Sequence, residues 1–397
     1  MTHTGGGVAA ALPTPSPPFG SGRLETTALG PFVLGDGTRL PELVVAWRHD
    51  GPPPDQAPQV VVVHALTGSA DAAGDWWEPL IGPGRALDTK RVGVLGANLL
   101  GGRYGSTGPT SIDPRTGRPF GHHFPAVSTR DQARVQWALL DALGIDEIAL
   151  VVGGSLGGMV ALEVALVRPP AVRHVIPIAA PAATGPLAIA WNHIQVELIE
   201  RLGDAGLALA RELAMTTYRS ETDFDERFGR SSEPDGRPSI VSYLDYQGAK
   251  LVDRFDGDTY RILAGAMDRH DIGTGRGGLE TALAHLALAG TKLTGVGIAD
   301  DILYGPRQVR ALVATAGAAG VATHYREIRS TKGHDAFLVE WDQLAQILGE
   351  ALDCEQGGAA APSAGPPRSV DSVGSSNGAG STAGSSPLVS DWQGLED

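Results

Sequence analysis

The sequence predicts an α/β fold built on a mostly parallel sheet, and three observations carry that expectation. Seven short runs rich in β-branched residues, "ELVVAWR", "QVVVVHA", "RVGVLGAN", "EIALVVGG", "VRHVIPIAA", "TKLTGVGIA" and "THYREIRS", are spaced along the chain. Their near-continuous apolar character is that of strands buried on both faces, and they alternate with helical patterns, as strands linked by crossover helices do. From about 184 to 290 this rhythm stops and helical patterns follow one another, which reads as a helical cap inserted between two sheet strands.

Taken in order, residues 1–21 are dominated by Gly, Ala and Pro and are expected to be disordered. The sheet core is expected over 22–183 and 291–354. Within it, "STRDQARVQWALLDALG" shows local signals agreeing on one helix: Thr129 and Gln132 have capping-box spacing, Trp137, Leu140 and Leu143 form an apolar stripe, and Gly144 stands where a C-terminal cap belongs. The cap, 184–290, contains the helical stretches "LAIAWNHIQVELIERLG", "AGLALARELAMTTYRS" and "ETALAHLALAG". Residues 355–397 hold too few large apolar side chains to offset their ordering entropy and read as a disordered tail.

Composition removes several functional classes. A net charge of −14 lacks the basic footprint that nucleic acid or an anionic membrane surface requires. The single cysteine, Cys354, rules out an internal disulfide framework and a cysteine-rich metal site, which suits a reducing compartment. With no charged leader at the N-terminus and no run of eighteen apolar residues, the expected location is the cytoplasm.

The chemistry concentrates at Gly153-Gly154-Ser155-Leu156-Gly157, the G-x-S-x-G pattern between an expected strand and an expected helix. A serine on such a turn needs neighbours with almost no side chain, and the turn exposes its hydroxyl while aiming the helix-initial N–H of Leu156 at an oxyanion. Its base and orienting acid should follow later in the chain, at carboxyl ends of strands. Asp300-Asp301 follows "TKLTGVGIA", and His334 lies in a loop after the last strand, so both fall in the expected places. The second oxyanion donor is expected in the loop after "QVVVV", at the N–H of Leu66, with His64 bracing that loop. The remaining histidines have no ligand-spaced partners and read as packed or solvated, so no metal site is expected. "GTGRGG" at 273–278 matches a dinucleotide fingerprint but follows no strand and reads as a loop beside the cleft.

With these residues in place the chain resembles the homoserine O-acetyltransferases of the α/β-hydrolase superfamily from about residue 25 to 353. The resemblance rests on ordered motifs, among them "HALTGSA", "NLLGGRYGSTGPTSIDPRTGRPFG", "VVGGSLGGMVALE", "GLALAREL", "SYLDYQGAKLVDRFD" and "GHDAFLVE". It implies an α/β-hydrolase fold with an inserted helical cap, Ser155 as nucleophile, His334 as base and Asp301 rather than Asp300 as acid. It also implies that Arg211 binds the acceptor's carboxylate and Asp335 its ammonium. The implied reaction is transfer of an acetyl group from acetyl-CoA, as co-substrate, to L-homoserine, with no bound cofactor and with a homodimer built through the cap. A succinyl donor, a serine acceptor, or a non-catalytic protein on the same fold are the rival readings. One departure stands out: Arg103-Tyr104 occupies a loop position where the family often has cysteine.

Overall fold

The computed structural model describes residues 19–355. The expected disordered segments, 1–21 and 355–397, lie almost wholly outside them. The strands are β1 (Leu24–Val33), β2 (Arg39–Asp50), β3 (Gln59–Val63), β4 (Gly93–Ala97), β5 (Ile112–Asp113), β6 (Arg118–Pro119), β7 (Leu150–Gly154), β8 (His174–Ile178), β9 (Lys292–Ile298) and β10 (Thr323–Ile328). Strands β5 and β6 form a separate two-stranded ladder, and the other eight form one sheet in the order β1-β2-β4-β3-β7-β8-β9-β10. Pairing is parallel from β4 through β10 and antiparallel for β1 with β2 and β2 with β4. This is the α/β-hydrolase arrangement, and all seven expected strand runs are in it.

Why the central runs are apolar in both phases is visible in β3. Val61 and Val63 enter one core and Val60 and Val62 the other, on opposite faces of the sheet. The first core is roofed by α1 (Thr129–Leu143), α2 (Leu156–Val167) and α9 (Pro306–Ala318). The second is closed by Trp76 and Trp77 and by α11 (Trp341–Glu355), through Leu344 and Leu348. In the eight-stranded sheet the strand outside the seven expected runs is β1, an antiparallel edge strand whose residues are half-buried or exposed.

Helix α1 starts one residue earlier than its capping spacing suggests. Ser128 is the N-cap and Asp131 the reciprocating partner: Asp131 N donates to Ser128 Oγ and Ser128 N to the Asp131 carboxylate. Two boxes overlap in the sequence, and the Thr129 hydroxyl is engaged elsewhere, with His270 Nδ1 at 3.0 Å. Gly144 ends the helix with φ of 71°, the left-handed cap that its position predicts.

Between β8 and β9 run α3 (Pro186–Leu202), α4 (Asp204–Tyr218), α5 (Glu221–Arg227), α6 (Ser239–Arg254), α7 (Gly257–Asp268) and α8 (Leu279–Ala289). Helix α4 packs on α3 and α6, and α3 on α7, whereas α8 packs on α2 and α9. The span expected as a cap thus holds two kinds of helix: a bundle of its own, and a final helix that joins the layer over the sheet. The "GTGRGG" turn before α8 is anchored by Arg276, which pairs with the buried Glu163 of α2 at 2.6 Å. That ion pair gives the turn a structural purpose.

Trp137 ties α1 to α2. Its ring is buried, its Nε1 donates to Val164 O at 2.9 Å in the last turn of α2, and the Arg168 guanidinium lies 4.7 Å from its ring centre. Trp137→Ala is expected to cost about 3–5 kcal/mol, and Trp137→Phe, which keeps most of the packing, about 1–2 kcal/mol. Chemical denaturation of both variants measures the difference.

Candidate active site

The nucleophile turn follows from close packing at its glycines. Ser155 sits between β7 and α2 with φ 56° and ψ −125°, a left-handed conformation that a non-glycine residue rarely adopts. A side chain at Gly157 would place its Cβ 2.1 Å from the carbonyl oxygen of Val63 on β3, and one at Gly154 would strike the Phe337 ring at 2.5 Å. Helix α2 can therefore start hard against the neighbouring strand only with glycine at 157. The Ser155 N–H donates to Ile178 O at the end of β8, which fixes the turn to the sheet edge.

Leu156 is the first residue of α2, so its N–H has no intrahelical acceptor. Neither this amide nor that of Leu66 donates to any group among the described residues. The loop carrying Leu66 is held by His64, whose Nδ1 contacts Ala65 O at 2.7 Å while Nε2 accepts from Leu99 N at 3.0 Å. Both ring nitrogens are thus committed to the backbone, and burial pushes the imidazole down to a pKa of about 4. His64 is neutral and braces the loop.

Asp301 and His334 meet as their chain positions predict. The Asp301 carboxylate is oriented by both oxygens: Oδ1 accepts from the N–H groups of Leu303 and Tyr304, and Oδ2 lies 2.7 Å from His334 Nδ1. This leaves His334 Nε2 as the proton acceptor, buried and without a hydrogen bond among the described residues, so the bond from Ser155 Oγ is not made. The rings of Tyr218, Tyr304 and Phe337 surround the imidazole at 5.6–5.8 Å between centres. Burial alone would lower the His334 pKa; the Asp301 charge, its hydrogen bond and the Asp335 charge outweigh that and raise it. Nucleophile turn and base share the Phe337 ring, which covers Gly154 on one side and His334 on the other.

Arg211 and Asp335 also lie at this end of the sheet. Arg211, on α4, is buried and stacks on Tyr218 at 5.4 Å, with no ion pair among the described residues. Asp335 follows His334 directly, is buried, and has Arg219 Nε 3.4 Å from its Oδ2. Asp300, by contrast, is exposed.

Two residues absent from the sequence reading complete the surroundings: Arg219, and Arg254 at the end of α6. Arg254 Nη1 donates to Thr67 O at 2.9 Å and to Tyr104 Oη at 3.1 Å, so a cap helix grips the loop next to Leu66. Tyr104, one of the three non-glycine residues with positive φ among those described, and Arg103, paired with Asp256 at 2.9 Å, make the same link from the sheet side. An arginine near a helix end reads in sequence as a solvated partner for the helix dipole, so nothing marked these contacts.

Among the described residues no group of three or more His, Cys, Asp or Glu could hold a metal ion, and no helix is long and apolar enough to cross a membrane. What the arrangement can do is activate a serine against an acyl carbon.

A serine on a strand-to-helix elbow, a later Asp–His pair and helices inserted before the acid define an α/β hydrolase, and the family model described as alpha/beta hydrolase fold matches residues 58–256. A homoserine O-acetyltransferase of Thermus thermophilus is 46% identical over 317 residues, covering 73% of this chain and 80% of the relative. The chain belongs to the homoserine O-acetyltransferase family. Among solved structures, the homoserine O-acetyltransferase of Bacillus anthracis superposes with a TM-score of 0.77 at 22% identity, covering 83% of this chain and 97% of the other. Esterase E22 does so with 0.76 at 24% identity, covering 83% and 99%. The same fold is therefore found in proteins named for transfer and for hydrolysis.

Arg254→Met removes the cap's grip on the Thr67 carbonyl without touching the Asp301–His334 pair. It is expected to slow fluorophosphonate labelling of Ser155 about tenfold, since a misaligned oxyanion donor weakens stabilisation of the charge formed in attack, while the thermal midpoint falls by only a few degrees.

Proposed function

We propose that this protein transfers an acetyl group from acetyl-CoA to the γ-hydroxyl of L-homoserine through an acetyl-Ser155 intermediate. The observation that carries the choice of acceptor is the pair of fixed charges beside the base. Arg211, a buried guanidinium with no counter-anion among the described residues, stacks on the Tyr218 ring that packs against His334, and Asp335, a buried carboxylate, adjoins His334; together they complement the carboxylate and ammonium of a zwitterion. A simple ester offers neither charge.

In the first half-reaction His334 Nε2 takes the Ser155 proton as Oγ attacks the thioester carbon. The oxyanion is received by the N–H groups of Leu66 and Leu156, the C–S bond breaks, and the proton passes to the departing CoA sulfur. In the second, homoserine occupies the site with its carboxylate on Arg211 and its ammonium on Asp335. Its hydroxyl gives its proton to His334 and attacks the acetyl carbon, and the proton returns to Ser155 as the ester leaves. Asp301 holds the imidazole in the tautomer that both halves require and stabilises it when charged.

Transfer must outrun hydrolysis, and the burial of Ser155, His334 and Asp301 beneath the cap supports that by keeping bulk water from the acyl-enzyme. The reading includes a homodimer joined through the cap, for which the support is a set of exposed apolar side chains: Leu187, Ile194 and Leu202 on α3, Leu209 on α4, and Tyr246 on α6. It further includes a cytoplasmic location and no tightly bound cofactor.

Thiol release measured with acetyl-CoA or succinyl-CoA, each with L-homoserine, L-serine or no acceptor, tests the assignment. Rapid release is expected only with acetyl-CoA and homoserine together, with ping-pong kinetics and a loss of at least about a thousandfold in Ser155→Ala. Release indifferent to the acceptor would make the protein a hydrolase. Because the base must be neutral to act and its pKa is raised, the acid limb of kcat/KM is expected above pH 6.5, the ordinary histidine value.

A further inference from the structure

The link between α4 and α5 is two residues, Arg219-Ser220, and the loop carrying the base is pressed against it and the last residue of α4, Tyr218. Gly333 has φ of 66°, and a Cβ there would lie 2.7 Å from Tyr218 O and 2.8 Å from Ser220 N. Ser220 Oγ donates to Thr331 O, and Lys332 Nζ pairs with Asp223 at 3.0 Å. At the centre is Arg219. Its side chain is wholly buried, with Nη1 3.4 Å from Asp223 Oδ2 and Nε 3.4 Å from Asp335 Oδ2. Nε and Nη2 make no hydrogen bond among the described residues.

A buried guanidinium kept only for stability would be expected to close short, bidentate bonds on its carboxylates. Arg219 does not. It approaches one oxygen of Asp335 at ion-pair distance, and its own nitrogens are too enclosed to reach a ligand directly.

We propose that Arg219 is a positioning residue: it holds the Asp335 carboxylate turned toward the acceptor, and it offsets the negative charge that Asp335 places beside His334. The inference rests on the acceptor reading given above and deepens it, since it explains how the carboxylate that would meet the acceptor's ammonium is held in place. The charged or titratable groups facing His334 are Asp301 from the end of β9, Asp335 beside it, Tyr304, and Tyr218 from α4, which carries Arg211 on its ring. Of the nearby cations, Arg211 lies on the Tyr218 ring and Arg219 is paired with Asp335.

The test separates the two half-reactions in Arg219→Met, Arg219→Lys and Arg219→Met combined with Asp335→Asn. Acetylation of Ser155 is followed with p-nitrophenyl acetate across pH, and transfer with acetyl-CoA and homoserine. In Arg219→Met the acid limb of the acetylation profile should move upward by roughly half a pH unit, because Asp335 is left uncompensated beside the imidazole. The KM for homoserine should rise about tenfold or more as the carboxylate loses its fixed orientation, while the acetylation rate on the alkaline plateau stays within about twofold. Arg219→Lys should recover part of both effects, and adding Asp335→Asn should bring the limb back down. An unchanged limb and an unchanged homoserine KM in Arg219→Met and Arg219→Lys would overturn the proposal. If Arg219→Met does not fold, Arg219→Lys and the double variant decide it by the same two readouts. Failure of the parent enzyme to use homoserine at all would instead refute the acceptor reading, and the acetylation limb would still judge the charge-offset role.

Discussion

The approach of Gly157 to the Val63 carbonyl is the contact on which the rest of the site depends. It lets α2 begin one residue after β7 ends, and so forces Ser155 into a conformation that costs on the order of 1–3 kcal/mol for a residue with a side chain. That strain is held in place by the buried sheet on both sides, through the Ser155 N–H to Ile178 and the two cores that meet at β3. Everything else at the site is arranged around the resulting point: the Leu156 amide by helix geometry, the Asp301–His334 pair by the ends of the next strands, the Leu66 loop by a neutral histidine.

The groups proposed to bind the acceptor are organised on a different principle. They are charged, buried and supplied by two elements distant in sequence, α4 and the loop after β10. The fold shared with an esterase fits a division in which Ser155, Asp301 and His334 sit at strand ends of the sheet while Arg211 comes from the inserted helices.

Much of this was legible in the sequence, and the exceptions have physical causes. Buried parallel strands announce themselves because both faces are apolar, so β3, β4 and β7 to β9 can be read directly, together with Ser155 and the strand-end placement of Asp301 and His334. β1 cannot, since an edge strand with one partner and no fully buried residue has no such signal. The cap of α1 was off by one because Ser128-x-x-Asp131 and Thr129-x-x-Gln132 compete in sequence, and a tertiary bond to His270 settles the matter. Arg219 and Arg254 were invisible for a deeper reason: a charged residue at a helix end looks the same whether it faces water or another segment more than a hundred residues away. Their importance is a property of what the fold places opposite them.

The wedge of Gly333 between Tyr218 and Ser220 has a consequence for how the molecule can breathe. The cap is not hinged over an independent catalytic centre; its α4–α5 link and the loop bearing the base are packed as one unit. A displacement of that link large enough to flood the pocket would drag the imidazole away from its aspartate. Movement of the α4–α5 link and movement of the loop bearing His334 are therefore coupled at this junction.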